Sequence, residues 1–237
     1  MRLHRFYYRE LIGNRSEITI NSLEITKQIR RVFRLKTGDL VIIFDGSGFD
    51  YVCKINNFTE DTMKLSINEK NSSRYIPEKD IVLCVAIVKK DTFEWIVEKA
   101  TELGVTNIIP IISERSEKKS LNIERLKKIS IEASEQSGRG RVPIIEPIVS
   151  LIEAINTYKD QYGGQTSVYA FHTEGDTIPR SDLGNDRKIV IFIGPEGGWS
   201  PSEIDMFHKD KISIHCLGKQ ILRTETAVIA VLSRFVF

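Results

Sequence analysis

From residue 81 onward, strand-like apolar runs alternate with amphipathic helical patterns, and this alternation limits the possible folds more than any other feature. Ile81–Val88 is an unbroken apolar run, which is typical of a strand covered on both faces. Helical patterns begin near Asp91, Asn122, Leu151, Ser200 and Thr224. A capping box between Asp91 and Glu94 is predicted at the first of these helices, and Ser200 is predicted to cap the fourth, with Glu203 as the acid at its third position. Further strands are predicted over residues 106–112, 167–172, 188–193 and 212–217. This order predicts an α/β domain whose sheet is largely parallel.

The first 75 residues follow a different pattern. Strand-like runs cover residues 39–44, 49–58 and 63–67. One helix is predicted from Ser22 to Phe33, with an apolar face formed by Ile25, Ile29, Val32 and Phe33. Short strands at this spacing favour a small β-barrel. A polar stretch that ends at Pro77 marks the boundary. We therefore expect two domains, 1–75 and 76–237.

Composition excludes several classes of protein. The 237 residues include 34 Lys or Arg and 32 Asp or Glu, so the chain is no bulk polycation. Its three cysteines and four histidines are scattered without metal-ligand spacing, and we expect neither a disulfide framework nor a metal site. No apolar run approaches membrane-spanning length, and the first ten residues lack the apolar core of a signal peptide. These features predict a soluble, cytoplasmic protein.

Cations gather in the first domain, where residues 1–75 hold 13 basic and 9 acidic side chains. On the predicted helix, one stripe consists of Lys27, Arg30, Arg31 and Arg34. A second group of cations, mixed with aromatic residues, consists of Arg2, Arg5 and Arg9. Spaced cations suit a phosphate backbone, and aromatic rings suit the stacking of bases. The alternatives are a solvated helix face for the stripe, and a strand with core-facing aromatic rings for the N-terminal group.

Two loops in the second domain follow predicted strands. The first, Gly194–Trp199, contains three glycines that allow close approach of the backbone to a ligand. Ligands of open α/β sheets bind at the carboxyl ends of strands, although a structural turn is the alternative. The second loop leads into Arg223-Thr224-Glu225. Arg223 and Glu225 fit either an ion pair beside a helix cap or an anion-stabilising cation with an acid near a ligand.

Five sequence motifs, taken together, resemble the RsmE family of SPOUT-class methyltransferases, which modify uridine N3 in small-subunit (16S) ribosomal RNA. The motifs lie at residues 31–39, 99–105, 114–116, 135–139 and, for the two loops, 194–198 with 217–227. The resemblance covers nearly the whole chain. One departure is Gln220, because relatives usually carry arginine or asparagine at that position.

The resemblance implies a PUA-like β-barrel that binds RNA and a SPOUT α/β domain with a deep trefoil knot. It also implies S-adenosylmethionine as cofactor and a homodimer. By carry-over, the cofactor site consists of Phe171, His172, Gly194, Glu196, Gly197, Gly198, Leu217, Gly218, Ile221, Leu222 and Arg223.

The reaction requires the imide proton of N3 to leave, and negative charge then spreads onto O2 and O4 of the base. Arg223 is the candidate for stabilising that charge, and Glu225 for orienting Arg223 or relaying the proton. The alternative is that both residues only brace the fold. Two other functions stay open: a SPOUT enzyme with another RNA target, and a non-catalytic ribosome-assembly factor.

Overall fold

The structure is a computed structural model of the chain, and it describes residues 3–161, 166–177 and 186–236. The described residues divide into two compact units. The first unit combines residues up to Ile76 with the segment Ser134–Val142, and the second contains the remainder. Sequence patterns had placed residues 134–142 in the second domain. No sequence periodicity marks this segment, because its assignment to the first unit depends on long-range contacts.

The first unit contains a five-stranded sheet with the order β1-β3-β4-β5-β2. β1 pairs with β3 in parallel, and the other neighbours are antiparallel. Alternating residues of these strands bury one apolar cluster that includes Phe6, Ile43 and Leu65. The prediction of a mainly β first domain is therefore confirmed. The strands are β1 Arg5–Tyr7, β2 Glu17–Asn21, β3 Leu40–Phe44, β4 Phe49–Phe58 and β5 Thr62–Ser72.

The helix of the first unit changes its winding part-way along. Helix α1 covers Leu23–Lys27, and Ser22 caps it by accepting a hydrogen bond from the N–H of Ile25. A π-helical turn follows over Gln28–Val32. This wider turn shifts the apolar face by one residue, so Ile29 is fully buried whereas Val32 is 70% exposed. The prediction that Val32 lies on the buried face was wrong for this reason.

The second unit is built on a parallel sheet with the order β12-β10-β11-β6-β7-β8, and β9 also pairs with β7. Odd-numbered residues of β6 face one apolar cluster and even-numbered residues face another. β6 is therefore covered on both faces, as its unbroken apolar run predicted. The strands are β6 Asp80–Ala86, β7 Asn107–Ile112, β8 Ile144–Ile145, β9 Val149–Ser150, β10 Thr166–Thr177, β11 Lys188–Ile193 and β12 Ser213–Cys216.

The helices of the second unit begin close to their predicted positions, with one correction. α5 begins with a capping box between Ser200 and Glu203, as the sequence indicated. α2 begins at Lys90, so Asp91 lies inside its first turn and the predicted capping box with Glu94 does not form. The cap position is occupied by Lys89, whose ammonium accepts no hydrogen bond. The helices are α2 Lys90–Glu102, α3 Ile123–Ser137, α4 Leu151–Gln161, α5 Pro201–Lys209 and α6 Thr224–Val236, and the division between the two units falls within α3.

β10 continues well past its predicted end because of one glycine. A bulge separates Phe171 from Asp176 in the pairing of β10 with β12. A Cβ atom at Gly175 would lie 2.5 Å from the carbonyl carbon of His215, so only glycine allows the two backbones to approach this closely. The extension carries residues 172–177 beyond the end of β11, and residues 172–174 form one wall of a cavity there.

Candidate active site

A cavity of about 370 Å³ lies at the carboxyl edge of the parallel sheet, beside the ends of β10, β11 and β12. This volume is in the range of small-ligand sites, and the position is the one expected for a ligand of an α/β sheet. Both glycine-containing loops contribute to it. Its walls are residues 171–174, 193–198, 215–218 and 220–222, with Arg115, Thr224 and Ala227.

The loop after β11 is fixed by a tight turn and a buried tryptophan. Gly198 donates its N–H to the carbonyl oxygen of Pro195 and has φ +67°, a value that favours glycine. The indole N–H of Trp199 donates to the carbonyl oxygen of Phe171 at 3.1 Å. A Cβ atom at Gly194 would lie 3.2 Å from the Trp199 ring. The loop therefore presents its backbone to the cavity while Trp199 holds it against β10.

The loop before α6 is joined to the glycine loop by Thr224. The hydroxyl of this buried threonine donates to the carbonyl oxygen of Gly194 at 3.2 Å. Ile221, three residues before Thr224, lines the cavity although 84% of it is exposed. Thr224 thus fixes the relative position of the two loops that sequence patterns had singled out separately.

Polar groups in the cavity wall have defined partners. The backbone N–H of Glu174 donates to Nδ1 of His172 at 3.2 Å, which leaves Nε2 of His172 beside Gly198. His215 Nδ1 lies 3.3 Å from the carbonyl oxygen of Asp176. Because a carbonyl oxygen only accepts, His215 carries its proton on Nδ1 in this contact.

A third loop closes the cavity from the side of β7. The guanidinium of Arg115 donates from Nη1 to the carbonyl oxygen of Gly197 at 2.7 Å. The neighbouring carboxylate, Glu114, accepts from the hydroxyl of Ser202 at 2.9 Å. Hydrogen bonds from Ser200 and Ser202 keep the pKa of Glu114 below its usual value. Sequence reasoning named Glu114 and Arg115 as a motif but gave them no role in the site.

The predicted cofactor residues converge on this cavity with one exception. Arg223 is exposed and Glu225 is half-buried, and neither is among the described residues that line the cavity. Both flank Thr224, which does line it. The cavity-lining residues are Phe171, His172, Gly194, Glu196, Gly197, Gly198, Leu217, Gly218, Ile221 and Leu222.

Several cavity residues were missed by the sequence analysis. Thr224 was assigned only a capping role, and Arg115 follows β7 at the carboxyl edge, so the rule about strand ends would have found it. Thr173 and Glu174 lie beyond the predicted end of β10. They belong to the wall because Gly175 permits the extension of that strand.

The predicted RNA-binding cations separate into exposed and buried residues. Lys27, Arg30, Arg31 and Arg34 are all exposed, as is Arg9. Arg2 lies outside the described residues. Arg5 is only 9% exposed and binds the carboxylate of Asp50 and the carbonyl oxygens of Ser134 and Arg139. The structure therefore corrects the assignment of Arg5, because its guanidinium is buried and four of its five N–H groups already bind other residues of the chain.

The aromatic residues beside Arg5 are likewise part of the core. Phe6 and Tyr8 are buried in the apolar cluster of the first unit. Tyr7 is half-buried, and its backbone N–H donates to the carboxylate of Glu135 at 2.9 Å. The N-terminal strand with core-facing aromatic rings, given above as the alternative, is the observed arrangement.

Comparisons with known proteins agree with this architecture. Residues 76–236 match the RNA methyltransferase domain family, and residues 29–67 match the RNA methyltransferase PUA domain. The ribosomal RNA small subunit methyltransferase E of Rickettsia conorii is 32% identical over 99% of this chain and 95% of its own length. The chain belongs to the ribosomal RNA small subunit methyltransferase E family. Its Bacillus subtilis member is 30% identical, over 89% of this chain and 86% of its own length.

Solved structures of relatives share the fold. The ribosomal RNA small subunit methyltransferase E of Neisseria gonorrhoeae, solved with S-adenosyl methionine, has a TM-score of 0.87 and 27% identity. The alignment covers 98% of this chain and 96% of that one. A putative methyltransferase of Legionella pneumophila, in complex with the same cofactor, has a TM-score of 0.86 and 26% identity, and covers 99% of this chain and 97% of its own. The family resemblance and the PUA-like and SPOUT-like fold classes are thereby confirmed.

The described residues show neither a metal-binding cluster nor a membrane-spanning helix. No three His, Cys, Asp or Glu side chains in that part of the chain come together in a way that would hold a metal ion. None of its helices has the length and apolar character needed to cross a membrane.

Proposed function

We propose that this protein transfers the methyl group of S-adenosylmethionine to N3 of a uridine in small-subunit (16S) ribosomal RNA. The observation that carries the proposal is the cavity at the carboxyl edge of the parallel sheet, which unites the predicted cofactor residues. Membership of the methyltransferase E family, and the cofactor bound by two relatives, support it. We further propose a cytoplasmic location, because ribosomal RNA is the substrate.

The chemistry of the cavity fits the cofactor. Apolar side chains of Leu217, Ile221 and Leu222 offer a surface for the adenine ring, and the backbone of the glycine loop offers hydrogen-bonding groups. The carboxylates of Glu174 and Glu196 suit ribose hydroxyls or the cationic end of the cofactor. When bound, S-adenosylmethionine supplies an electrophilic methyl carbon on its sulfonium.

Alignment accounts for a large share of the catalysis, because the methyl carbon needs no further activation. The N–H bond of N3 breaks, a bond from N3 to the methyl carbon forms, and the bond from that carbon to sulfur breaks. Arg223 stabilises the negative charge on O2 and O4, and Glu225 orients Arg223 or accepts the proton. The positions of both beside Thr224, which lines the cavity, support these roles.

We propose that the exposed cations of the first unit bind the RNA. Lys27, Arg30, Arg31 and Arg34 make no ion pair with the described residues. Cations without an ionic partner favour the binding of a phosphate backbone, because each neutralised phosphate releases condensed counterions. The match of residues 29–67 to a PUA domain of RNA methyltransferases supports this role.

We also propose that the protein acts as a homodimer and that the second domain is knotted, as the family resemblance implies. In α6, Val228, Val231, Leu232 and Phe235 are buried in the core of the second unit, whereas Ile229 and Ala230 are only half-buried and leave apolar surface for a partner. A two-fold dimer is the commonest closed oligomer. Light scattering that gave only a monomeric mass at working concentrations would contradict the dimer.

The experiment that tests the proposed function measures cofactor binding and then the product. Gly197→Val adds a branched side chain to the glycine loop. A Cβ atom at this position would lie 3.4 Å from Cδ of Arg115, an ordinary van der Waals distance, so the substitution causes no clash within the chain. We expect the variant to fold but to lose at least tenfold in affinity for S-adenosylmethionine, measured by calorimetry. Ser120→Val, in an exposed segment outside the cavity, is the matched control.

The product is located by mapping methylated uridines in small-subunit RNA after incubation with the protein and cofactor. A new methyl group at N3 of one uridine is the expected result. Methylation of a ribose hydroxyl or of transfer RNA would instead indicate another SPOUT activity. If the wild-type chain bound no S-adenosylmethionine, a non-catalytic RNA-binding role would replace the proposal.

A further inference from the structure

The loop that carries Arg115 is held rigidly at the carboxyl end of β7. Ser116 donates its backbone N–H to the carbonyl oxygen of Ser113 at 3.1 Å, which closes a tight turn. The N–H of Ser113 donates to the hydroxyl of Ser116 at 3.2 Å, and the two hydroxyls lie 2.9 Å apart. Ser113 and Ser116 are both buried. The backbone of Arg115 is therefore fixed by local hydrogen bonds.

The same loop is tied to the beginning of α5. The backbone N–H of Glu114 donates to the buried carboxylate of Glu203 at 2.9 Å, and this carboxylate also accepts from the N–H of Ser200. The hydroxyl of Ser202 donates to Glu114. These bonds join the loop to the residues that directly follow the glycine loop, so the position of Arg115 relative to the cavity is determined.

The guanidinium of Arg115 has unused donors. Of its five N–H groups, the hydrogen bond from Nη1 to Gly197 occupies one. No carboxylate of the described residues lies within 4.0 Å of it. Arg115 lines the cavity and is exposed. It is thus a fixed cation with several donors available to a ligand.

The charge of the cavity indicates which ligand group takes those donors. Among the described residues that line the cavity, Arg115 is the sole Lys or Arg, whereas Glu174 and Glu196 are carboxylates. S-adenosylmethionine carries two cationic centres and one carboxylate. The carboxylate is repelled by Glu174 and Glu196 and attracted by the guanidinium, whose planar fork matches two carboxylate oxygens.

We propose that Arg115 binds the carboxylate of the methionine part of S-adenosylmethionine while it holds the Gly197 carbonyl. The inference rests on the proposed function, because it assumes this cofactor. It gives Arg115 two simultaneous contacts, one with the loop and one with the ligand. Binding of the carboxylate would then be coupled to the hydrogen bond that holds the glycine loop at Gly197.

The test compares two ligands that differ only in the carboxylate, S-adenosylmethionine and its decarboxylated form. Hydrogen bonds to a charged group contribute enough that their loss weakens binding by roughly 10- to 100-fold. We expect Arg115→Ala to weaken binding of S-adenosylmethionine by about that factor and binding of the decarboxylated ligand less than about twofold. Arg115→Lys, which keeps the charge but not the fork, should fall between.

Lys118→Ala is the matched control. It removes an exposed cation three residues after Arg115 that does not line the cavity. It should leave the affinity of both ligands unchanged. Calorimetry gives the affinities, and thermal unfolding of each variant verifies that it is folded.

Other outcomes overturn the assignment. An equal loss for the two ligands would show that Arg115 only braces Gly197, and no loss for either would show that the carboxylate binds elsewhere. In the second case, a lower affinity of Arg115→Ala for RNA would indicate a phosphate contact instead. Failure of the wild-type chain to bind either ligand would overturn the proposed function itself, and the assignment with it.

Discussion

The N-terminal strand, through Arg5, and the helical segment 22–34, through Arg30, Arg31 and Arg34, belong to the same unit and use arginine in opposite ways. Arg5, in β1, makes hydrogen bonds to Asp50 of 2.6 and 3.1 Å and donates to two backbone carbonyls. Its guanidinium also lies 4.2 Å from the centre of the Phe44 ring. Arg30 and Arg31, in the helical segment, are exposed and form no ion pair with the described residues.

The difference shows that an arginine in a basic, aromatic-rich segment is not by itself a sign of RNA binding. A cation that is buried needs compensating acceptors, and those of Arg5 come from positions 45 to 134 residues away. A cation that stays hydrated needs none and is free to meet a ligand. The chain contains a buried arginine with an ionic partner, exposed arginines without one, and an exposed arginine with one. Substitutions at each kind measure how burial and pairing change the role of arginine.

The largest effect is expected at the buried pair. Arg5→Ala leaves Asp50 with its ionic partner removed, and breaking a buried ion pair in this way costs about 3–5 kcal/mol in the free energy of unfolding. Urea unfolding followed by circular dichroism measures the change. Arg9→Ala, four residues along and exposed, is the control and should change the free energy by less than about 0.5 kcal/mol. Similar values for both variants would remove the distinction.

A smaller effect, on binding instead of stability, is expected for the exposed stripe. Replacing Arg31 and Arg34 by alanine should weaken RNA binding and lower the salt dependence of its affinity by roughly one unit per lost phosphate contact. Titrations of a small-subunit RNA fragment at several salt concentrations measure this slope. Affinity for S-adenosylmethionine should not change, because both substitutions lie outside the cavity.

Arg15→Ala serves as the control for the stripe, because it removes an exposed arginine of the same unit that already lies near Glu10. Parallel salt plots for the wild type and the double variant would show that the stripe does not touch RNA. Arg9 would then be the next residue to test.

The smallest effect is expected for an arginine that is exposed and paired. Arg125 donates to Glu94 at 2.6 Å, and this hydrogen bond, with the nearby charge of Lys90, lowers the pKa of Glu94. Since the folded pKa is below the unfolded one, the stabilisation is present above the unfolded pKa and is lost as pH falls through the folded pKa.

Glu94→Gln should therefore unfold slightly more easily than the wild type at pH 7, and the two should converge in acid. Thermal unfolding from pH 7 down to pH 3 measures the convergence. Glu124→Gln in α3 gives the comparison, because that carboxylate pairs with Lys127 but is 76% exposed, against 14% for Glu94. A difference that persisted at the lowest pH would show that Glu94 acts through packing and not through its charge.

Local sequence rules predicted much of the fold. β11 was predicted at its observed bounds, and the capping box at Ser200 begins α5 as expected. Both depend on residues that are neighbours in the chain. The rules failed at the start of α2, which begins at Lys90 and so places Asp91 inside the first turn instead of at the cap. They also failed at Val32, because nothing in the spacing of apolar residues reveals a π-helical turn.

The candidate site was predicted to a similar extent and for similar reasons. Strand ends and glycines identified the loops after β11 and β12, and the family motifs supplied the residues within them. The contribution of Arg115 depends on a hydrogen bond to Gly197, 82 residues away, which no local pattern encodes. The wall formed by Thr173 and Glu174 depends in turn on the backbone contact between Gly175 and His215.

The different burial of the three cysteines gives the chain a natural labelling site. Cys53 and Cys84 are fully buried, and burial raises the pKa of the Cys53 thiol to about 12 and that of Cys84 well above its usual value. Cys216 is half-buried and lines the cavity, with its sulfur 3.7 Å from the hydroxyl of Thr177. A thiol-directed fluorophore therefore reacts first at Cys216. The unmodified sequence thus offers a single optical reporter in the wall of the cavity, without prior removal of the other two cysteines.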